Sequence, residues 1–532
     1  MPSMLDDVRS LSRRGLLKGA SASALLAALM PAASRSVWAN PVFASNPFSL
    51  GVASGDPLPD GVVIWTRVAP DPPNGGGMPM QAVPVSWEVA SDDRMRTIVQ
   101  KGETLARPEL GHSVHVEVGG LEPGRPYWYR FRAGRDASRV GRTRTAPAPG
   151  SMPALLRFAN VGCQRYEDGY FTAFRHLARE ELDFVFHYGD YIYEYRARNS
   201  PTPTVREIAG DEIHTIVDYR NRYALYKRDA DLQTAHAAHP FLSSFDDHEV
   251  DNNWAGAISE EDGGQTFPNA VPPEYFALRK QMAFHAWYEN MPVRRAQLPR
   301  GPAIQAYRRL RYGQLAELNV LDTRQYRDDQ PCGDGIKEPC PAVSNPSAQI
   351  LGADQERWLF EGLARSDAAW NVLAQQVMVM RRDVAAADPS QVSMDKWDAY
   401  PAARDRLMRH VEAARVKGLV VLTGDVHNAW AGDLKADFLN PASATLGTEF
   451  VATSITTGGD GFEIDDLRRT ILARNPHIKY FNNRRGYSVH EATKDRMVVH
   501  HRAVDTVSQP NALLVTKASY AVEAAKPGVV GA

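Results

Sequence analysis

The sequence lacks an excess of charge of either sign. Its 61 basic and 63 acidic residues give a formal net charge of −2, and its pI is near 6.7. This balance excludes a bulk electrostatic case for binding nucleic acid or an anionic membrane surface, so we expect no specific nucleic-acid partner. Long-period repeats and sizeable low-complexity segments are also missing. With 532 residues, 43% of them hydrophobic, the chain is expected to form a compact soluble protein with two or more domains.

Long hydrophobic runs are missing as well, apart from a moderately apolar stretch near the start. SRRGLLKG at residues 12–19 precedes ASASALLAALMPAA, which falls short of the ~20 residues that a bilayer span needs. Together with a small-residue cleavage pattern before Asn40, this order predicts a signal peptide over residues 1–39. The adjacent Arg13 and Arg14 resemble a twin-arginine export signal. We therefore expect the twin-arginine export machinery as a partner, a periplasmic or secreted location, and no stable membrane anchor.

Cysteine is scarce, with three in the whole chain. Cys332 and Cys340 bracket the short polar loop PCGDGIKEPC, which suits a disulfide in an oxidising compartment. Cys163 is left over at the end of LLRFANVGC, an apolar run that ends in glycine. It is either a buried spectator or a thiol with a chemical role, and its position favours the second reading.

Two regions of different texture follow the signal peptide. Residues 46–148 contain short alternating strands such as VVIWTRV and YWYRFRA, which are typical of a small β-sandwich without chemistry of its own. From residue 155 to residue 505, strand-like runs alternate with helical stretches, which predicts an α/β domain with a parallel or mixed sheet. Residues 506–532 are expected to form an appended tail with one short helix around residues 520–525.

Polar side chains follow the apolar runs of the second region, where each predicted strand ends. In open α/β sheets the carboxyl ends of strands collect ligands. The residues at these ends are Gly162-Cys163, Gly189-Asp190, the run from Asp246 to Glu249, Asp322, and the run from Gly424 to His427.

A rim of carboxylate, thiolate and imidazole groups is stable only if cations lie among the anions. Asp190 by itself could cap a turn or the next helix. The pattern along the chain instead favours Asp190 as a metal ligand that bridges two ions.

The ordered set of these motifs resembles the PhoD-like alkaline phosphatase D family, within the calcineurin-like metallophosphoesterases and related to purple acid phosphatases. The resemblance covers about residues 46 to 505. Its motifs are GVASGDP, NVGCQ, GDYIYE, DDHEVDNNW, LDTRQYR and TGDVHNAW. It implies an α/β (α+β) metallophosphoesterase domain, with layered β-sheets flanked by helices, preceded by an all-β fibronectin/Ig-like sandwich.

The resemblance also implies a metal centre of Fe(III) with one or two Ca(II) ions. The iron would be held by Cys163, Asp190, Tyr193 and His427, because a thiolate and a phenolate favour ferric iron over calcium. Asp247 and Asp425 would supply oxygens to calcium, with Asp398 as a further ligand and Asp395 as a weaker candidate. Cys163 replaces the usual first Asp of the superfamily, and Asp247 replaces Asn. These departures agree with the alkaline phosphatase D branch and disfavour an Fe–Zn centre.

Three further residues receive catalytic roles. His248 is expected to act as a general acid or to contact the phosphate, by analogy with the histidine of this motif in related enzymes. Arg165 and Arg324 each follow two residues behind a strand-end ligand, so either could clamp the phosphate with two hydrogen bonds. Alternatively, Asp322 and Arg324 form a structural ion pair, and Asp246 caps a helix.

These expectations predict an exported, metal-dependent phosphoric ester hydrolase. It would act on a small phosphate monoester or diester, and a metal-bound hydroxide or oxide would attack phosphorus in line. A phospholipase D-like diesterase is an alternative within the same chemistry. A different class is a catalytically silent protein that binds phosphate or metal.

Overall fold

The computed structural model describes residues 37–198, 204–259 and 270–532 of the chain. Most of the expected signal peptide, including Arg13 and Arg14, lies outside these residues. Within them, no helix combines the length and the apolar character that a membrane crossing requires.

The described residues form strands β1 to β24 and helices α1 to α7. In chain order the strands are β1 (Val52–Leu58), β2 (Gly61–Arg67), β3 (Val83–Ala90), β4 (Ile98–Ala106), β5 (Ser113–Val118), β6 (Pro126–Ala133), β7 (Asp136–Ala137), β8 (Gly141–Arg144), β9 (Leu156–Val161), β10 (Phe184–His187), β11 (Pro240–Ser243), β12 (Arg308–Tyr312), β13 (Ala316–Val320), β14 (Ile336–Lys337), β15 (Trp370–Ala374), β16 (Val392–Ser393), β17 (Leu419–Thr423), β18 (Ala429–Lys435), β19 (Thr445–Val451), β20 (Ile478–Asn482), β21 (Gly486–Ala492), β22 (Arg496–Val504), β23 (Leu514–Glu523) and β24 (Lys526–Gly531). The helices are α1 (Thr172–Leu177), α2 (Ile216–Lys227), α3 (Ala230–Ala238), α4 (Pro273–Asn290), α5 (Gly352–Arg365), α6 (Pro401–Ala413) and α7 (Asp466–Arg474).

Two large sheets lie face to face. The first has ten strands in the order β24-β23-β22-β21-β9-β10-β11-β1-β2-β5, and the second has seven in the order β12-β13-β15-β17-β19-β18-β20. Strands β9, β10 and β11 pair in parallel, and so do β13, β15, β17 and β19. The predicted α/β fold with layered sheets is confirmed.

Apolar side chains fill the space between the two sheets. Phe158 and Phe186 of the first sheet meet Leu318, Val372 and Leu422 of the second, and all five side chains are fully buried. Burial on both faces explains why these strands are continuous apolar runs instead of alternating ones. Each such side chain contributes about 1.5–3 kcal/mol through its removal from water.

Helices cover the outer face of each sheet. Helices α1 to α4 bury Phe174, Tyr223 and Trp287 against the first sheet. Helices α5 to α7 contribute Leu359 and Ile471, among others, to the core on the second sheet. The result is a four-layer arrangement that leaves the carboxyl ends of the parallel strands free to carry a site.

The N-terminal strands do not form a module with two sheets of its own. Strands β3, β4, β6, β7 and β8 make a five-stranded sheet, but β1, β2 and β5 belong to the first large sheet. Ser54 of β1 pairs in parallel with Pro240 of β11. The expected sandwich over residues 46–148 therefore shares one of its sheets with the domain that follows.

The C-terminal tail differs from the expected short helix around residues 520–525. Strand β23 pairs antiparallel with β22, with Arg496 opposite Glu523 and Val504 opposite Leu514, and β24 pairs with β23. The Ala-rich stretch favours a helix locally, but an available neighbouring strand outweighs that preference. The tail extends the first sheet.

The predicted disulfide between Cys332 and Cys340 is present. Their Cα atoms lie 5.9 Å apart, in the usual range for such a bridge. Cys163 is the free cysteine and is buried.

Candidate metal centre

Glycines precede candidate ligands because the strand ends approach one another closely. An added Cβ at Gly162 would lie 2.4 Å from the ring of Tyr188, and one at Gly424 would lie 2.1 Å from the same ring. At Gly189 the Cβ would lie 2.3 Å from the backbone nitrogen of Asp246. Side chains at these positions would force apart the strand ends that carry the candidate ligands.

Four of the candidate ligands adopt a left-handed backbone conformation. The φ angles are 51° at Cys163, 55° at Asp190, 64° at Asp425 and 61° at His427. This conformation costs a non-glycine residue roughly 1–2 kcal/mol, and such residues cluster at functional sites. The surrounding fold holds these side chains in place against that cost.

Glu249 ties two of the strand ends together. Its carboxylate accepts hydrogen bonds from the backbone N–H groups of Asp190 (3.0 Å), Tyr191 (2.7 Å) and Asp246 (2.9 Å). The side chain is fully buried. Glu249 thereby fixes the backbone around Asp190 relative to the segment that carries Asp247.

The first group of candidate ligands surrounds one oxygen of Asp190. Oδ2 of Asp190 lies 3.1 Å from Sγ of Cys163, 2.8 Å from the hydroxyl of Tyr193 and 4.0 Å from Nε2 of His427. The Tyr193 hydroxyl also lies 2.8 Å from Oγ1 of Thr457, which donates to the backbone carbonyl of Cys163. The four residues expected to hold iron are thus brought together, and we name them the thiolate half.

The second group contains Asp246, Asp247 and Asp425. Each contributes a ligand atom within 4.8 Å of the other two, and Asp190 forms a similar group with Asp247 and His248. Asp190 of the first group therefore lies close to Asp247 of the second, which is the placement that a bridging ligand requires. We name Asp246, Asp247 and Asp425 the carboxylate half.

Arg324 lies inside the carboxylate half and does not reach the cavity. Its guanidinium donates to Asp246 (2.5 Å), Asp395 (2.9 Å) and Asp425 (3.2 Å), and Nη2 lies 3.6 Å from Asp247. The side chain has no exposed surface. This differs from the expected phosphate clamp, because all of its donors face protein carboxylates.

Asp322 and Arg324 interact through the backbone N–H of Arg324 and not through the expected ion pair of side chains. Asp322 Oδ1 accepts from the backbone N–H groups of Arg324 and Gln325, at 3.0 and 2.9 Å. The Asp322 side chain stabilises the turn after β13, while the guanidinium of Arg324 donates hydrogen bonds to the carboxylate half.

Three other candidates fall outside the two halves. Asp398 accepts from Arg404 Nη1 (2.6 Å) and from the backbone N–H of Arg382 (2.8 Å), so its oxygens are already engaged. Asp395 is bound by Arg324 and by Lys396 Nζ, at 2.7 Å from the latter.

The third is Arg165, whose Nη2 pairs with Glu167 at 3.1 Å. The described wall of the cavity does not include Arg165. The structure therefore does not place it as a phosphate clamp.

His248 stands between the two halves. Its Nδ1 lies 2.8 Å from the fully buried carboxylate of Glu194, and its ring stacks on Tyr193 with ring centroids 4.0 Å apart. Burial opposes ionisation of the imidazole, but the carboxylates of Glu194, Asp190 and Asp247 outweigh it and raise the pKa of His248 well above its ordinary value. The contact with Glu194 occupies Nδ1, so Nε2 is the ring nitrogen that Glu194 does not contact.

The protein alone opposes ionisation of the thiol and the phenol. Burial, followed by the charge of Asp190, raises the pKa of Cys163 well above its ordinary value, and the same two causes raise the pKa of Tyr193. A cation acts in the opposite direction, because it stabilises thiolate and phenolate.

Buried carboxylate oxygens without a hydrogen bond also indicate that a cation binds here. Among the described residues, Oδ1 of Asp190, Oδ1 of Asp247 and Oδ2 of Asp246 are buried and accept no hydrogen bond. Burial of unpaired carboxylate oxygens is costly unless a cation compensates. The donor set of thiol, phenol, imidazole and carboxylates therefore fits the expected metal ions.

A cavity of about 500 Å³ opens above both halves. Its inner wall includes Asp190, Asp247, His248, Asp425 and His427. This volume lies in the range of small-molecule sites.

Sequence reasoning did not identify several residues that hold this centre. Arg485 donates to the backbone carbonyl of His427 and, at 3.0 Å, to Ser454 Oγ. Glu249 and Lys396 lie inside the recognised motifs DDHE and DKWD, where they received no individual role, and their charge is the available signal. Arg485 and Thr457 lie outside those motifs.

The fold and the site define a class of protein: a domain with mixed sheets that carries a cluster of potential metal ligands at its strand ends. The PhoD-like phosphatase family model matches residues 158–501, and the PhoD-like phosphatase N-terminal domain model matches residues 32–147. The chain belongs to the PhoD-like phosphatase family, which confirms the resemblance and makes it an enzyme of the phosphoric ester hydrolase class.

Individual relatives agree with this membership. The chain is 50% identical to alkaline phosphatase D of Bacillus subtilis (strain 168) over 493 residues, which cover 92% of this chain and 83% of the relative. A solved structure of PhoD has a TM-score of 0.89 and 49% sequence identity, and the match covers 92% of this chain and 93% of that one.

Proposed function

We propose that this protein is an exported, metal-dependent hydrolase of small phosphate monoesters or diesters. One observation carries the proposal: a thiol, a phenol, an imidazole and several carboxylates converge on Asp190 at the floor of the cavity. Family membership supports the class of reaction. The twin-arginine motif and the disulfide support the export.

The two halves would hold different ions. Cys163, Asp190, Tyr193 and His427 are the residues that would hold Fe(III), and Asp247 and Asp425, with Asp190 shared, would supply oxygens to Ca(II). When bound, such ions supply Lewis acidity toward the phosphoryl oxygens and lower the pKa of water.

His248 is proposed as the proton donor of the site. Glu194 occupies Nδ1 and fixes the ring, so the proton at Nε2 is the one available to the cavity. A proton delivered from Nε2 would neutralise charge that develops on the leaving-group oxygen. Glu194 acts through His248 and is therefore a positioning residue.

Arg324 and Lys396 are proposed to keep the carboxylate half in place. Arg324 contacts Asp246, Asp395 and Asp425, and Lys396 pairs with Asp395 and Asp425. Their positive charges reduce repulsion among acids that lie within a few ångströms of each other.

The test is turnover of a chromogenic monoester and a chromogenic diester, p-nitrophenyl phosphate and bis(p-nitrophenyl) phosphate, at alkaline pH. Activity is expected in protein purified without chelators, and it is expected to disappear after metal removal and return with iron and calcium. Activity that survives complete metal removal would contradict the proposal. Stoichiometric phosphate binding without turnover in the reconstituted protein would support a silent binding protein instead. A clear preference for phospholipid would support the phospholipase-like alternative.

A further inference from the structure

Two arginines line the cavity outside the set of candidate ligands. They are Arg382, which precedes β16, and Arg468, in the first turn of α7. Neither belongs to the candidate ligands, and neither contacts Asp190 or Asp247 through a described hydrogen bond.

The guanidinium of Arg382 lacks an acidic partner. Among the described residues, it has no hydrogen-bond acceptor and no carboxylate within ion-pair distance, although its backbone N–H donates to Asp398. Its Cζ lies 5.3 Å from the ring centroid of Trp430, which also lines the cavity. Half-buried guanidinium groups usually find an anion, so this one has unused binding capacity.

Arg468 is only partly neutralised. Nη1 donates to Asp465 at 2.8 Å, but 43% of the Asp465 side chain is exposed, and the backbone N–H of Arg468 uses the other carboxylate oxygen. An exposed pair of this kind is weak. Burial is the main cause that lowers the pKa of Arg382; the more distant carboxylates of Asp398 and Asp425 oppose this, and the positive charge of Arg468 lowers the pKa further, so the two cations are close enough to repel each other.

Apolar side chains line the same cavity as the two cations. They are Val384, Trp430, Leu467 and Ile471. An apolar wall strengthens a charge-assisted hydrogen bond, because water competes less for the guanidinium donors.

We propose that Arg382 and Arg468 form an anion-binding subsite that selects phosphoesters whose leaving group carries a second anionic group. This inference rests on the proposed function, since it assigns the ester phosphate to the metal centre. The second anion would be a carboxylate or another oxyanion at the end of a short organic spacer. The spacer would lie against Trp430 and the apolar wall.

The test compares 4-(carboxymethyl)phenyl phosphate with 4-(carbamoylmethyl)phenyl phosphate. The methylene group insulates the scissile ester from the substituent, so the pair differs mainly in one negative charge. The wild-type ratio of kcat/KM, anionic over neutral ester, is expected to be about tenfold or more, since a charge-assisted hydrogen bond is worth roughly that factor. The ratio is expected to fall as salt is added.

Three variants test whether the preference for the anionic ester depends on Arg382 and Arg468. In the double variant R382Q/R468Q the ratio is expected to approach one, and in R382K/R468K most of the preference should return. Arg469→Gln is the matched control, because Arg469 lies next to Arg468 on α7, 63% of its side chain is exposed, and it is outside the cavity wall. It should leave both rates unchanged. A wild-type ratio near one, or a ratio that R382Q/R468Q does not alter, would overturn the subsite.

Binding of non-hydrolysable analogues separates this inference from the proposed function. Calorimetry with 4-(carboxymethyl)benzylphosphonate and its carbamoylmethyl counterpart measures the same charge preference without turnover. A preference that R382Q/R468Q abolishes, in protein that hydrolyses neither ester, would support the subsite and contradict the hydrolase. Hydrolysis of both esters at similar kcat/KM would support the hydrolase and contradict the subsite.

Discussion

The two halves of the metal centre differ in how their negative charge is balanced. In the thiolate half, no described Lys or Arg side chain forms a salt bridge or hydrogen bond with the Cys163 thiol, the Asp190 carboxylate or the Tyr193 hydroxyl. Arg165 and Arg222 contact only the ring and the backbone carbonyl of Tyr193. The carboxylate half contains Arg324 and Lys396, which pair with its acids directly. The thiolate half therefore depends on a metal ion for its charge balance, whereas the carboxylate half is partly balanced by the protein. We expect a tightly held ion in the first and more exchangeable ions in the second.

Removal of the shared ligand should cause the largest loss. Asp190→Ala removes the carboxylate that the thiolate half surrounds and that also lies close to Asp247 of the carboxylate half, so kcat/KM should fall well beyond the roughly 10–100-fold that loss of an outer partner costs. Steady-state kinetics at alkaline pH measures the loss. Glu181→Gln is the control, because that side chain is 94% exposed and lies just before β10. If the activity of Asp190→Ala stayed within about threefold of wild type, the assignment of Asp190 as a shared metal ligand would be wrong.

Changes at His248 should lower kcat by about 10²–10⁴, because they remove the proposed proton donor while both halves keep their ligands. The variants are His248→Asn, and Glu194→Gln, for which a smaller loss of about 10–100-fold is expected. The readout is the split between kcat and KM, together with metal content. An increase in KM at unchanged kcat in His248→Asn would assign it to substrate binding alone.

Arg324→Met tests whether the carboxylate half carries its own counter-charge. Loss of the guanidinium leaves Asp246 without its buried ion-pair partner and leaves Lys396 as the remaining cation that Asp395 and Asp425 share, so the free energy of unfolding should fall by about 3–5 kcal/mol. Urea unfolding with and without added calcium measures it, and calcium should restore more stability to the variant than to wild type. Arg357→Met is the control, with a side chain that is 64% exposed. A loss below about 1 kcal/mol would show that the two halves do not differ in this way.

The smallest effect on the site is expected from a substitution that is remote from both halves. It measures how much a buried histidine contributes to the loss of stability in acid. His501 is buried between the sheets, 4.6 Å from Tyr480 between ring centroids, and burial lowers its pKa to about 3. Its pKa in the unfolded chain is about 6.5, so its contribution to stability is complete above that pH and is lost as the pH falls toward 3. His501→Gln should therefore flatten the pH dependence of unfolding by up to about 1.4 kcal/mol per pH unit between pH 6 and 4. Equal slopes for variant and wild type would contradict this.

The residues brought together at the strand ends could be predicted because chain order encodes them. A buried apolar run followed by glycine and a polar residue marks the carboxyl end of a strand, and parallel strands place those ends side by side. This reasoning identified Cys163 and Asp190 as neighbours, since they follow β9 and β10 of the first sheet. Asp425 follows β17 of the second sheet and joins them because the two sheets lie face to face. It also gave the layered α/β fold, since continuous apolar runs require burial on both faces.

The partners of individual charged side chains could not be predicted in the same way. Arg324 meets Asp246, Asp395 and Asp425, which come from three distant segments, so no local pattern indicates those contacts. Asp398 and Asp395 are three residues apart in DKWD, and only the fold decides which of them lies next to Arg324.

The tail shows a second limit of local patterns. Alanines in the predicted helix around residues 520–525 favour a helix, yet β23 forms because β22 offers an unpaired edge. The shared sheet of the N-terminal region arises similarly, from the pairing of β1 with β11.

Elemental analysis of protein purified without chelators tests the central claim most directly: cations draw these scattered ligands together, and Asp190 serves both kinds of ion. We predict about one iron and one or two calcium ions per chain in the wild type, with iron lost from Cys163→Ser and both elements lost from Asp190→Ala. Stoichiometric iron and calcium that persist in Asp190→Ala, or a wild-type protein that contains neither element, would contradict the account.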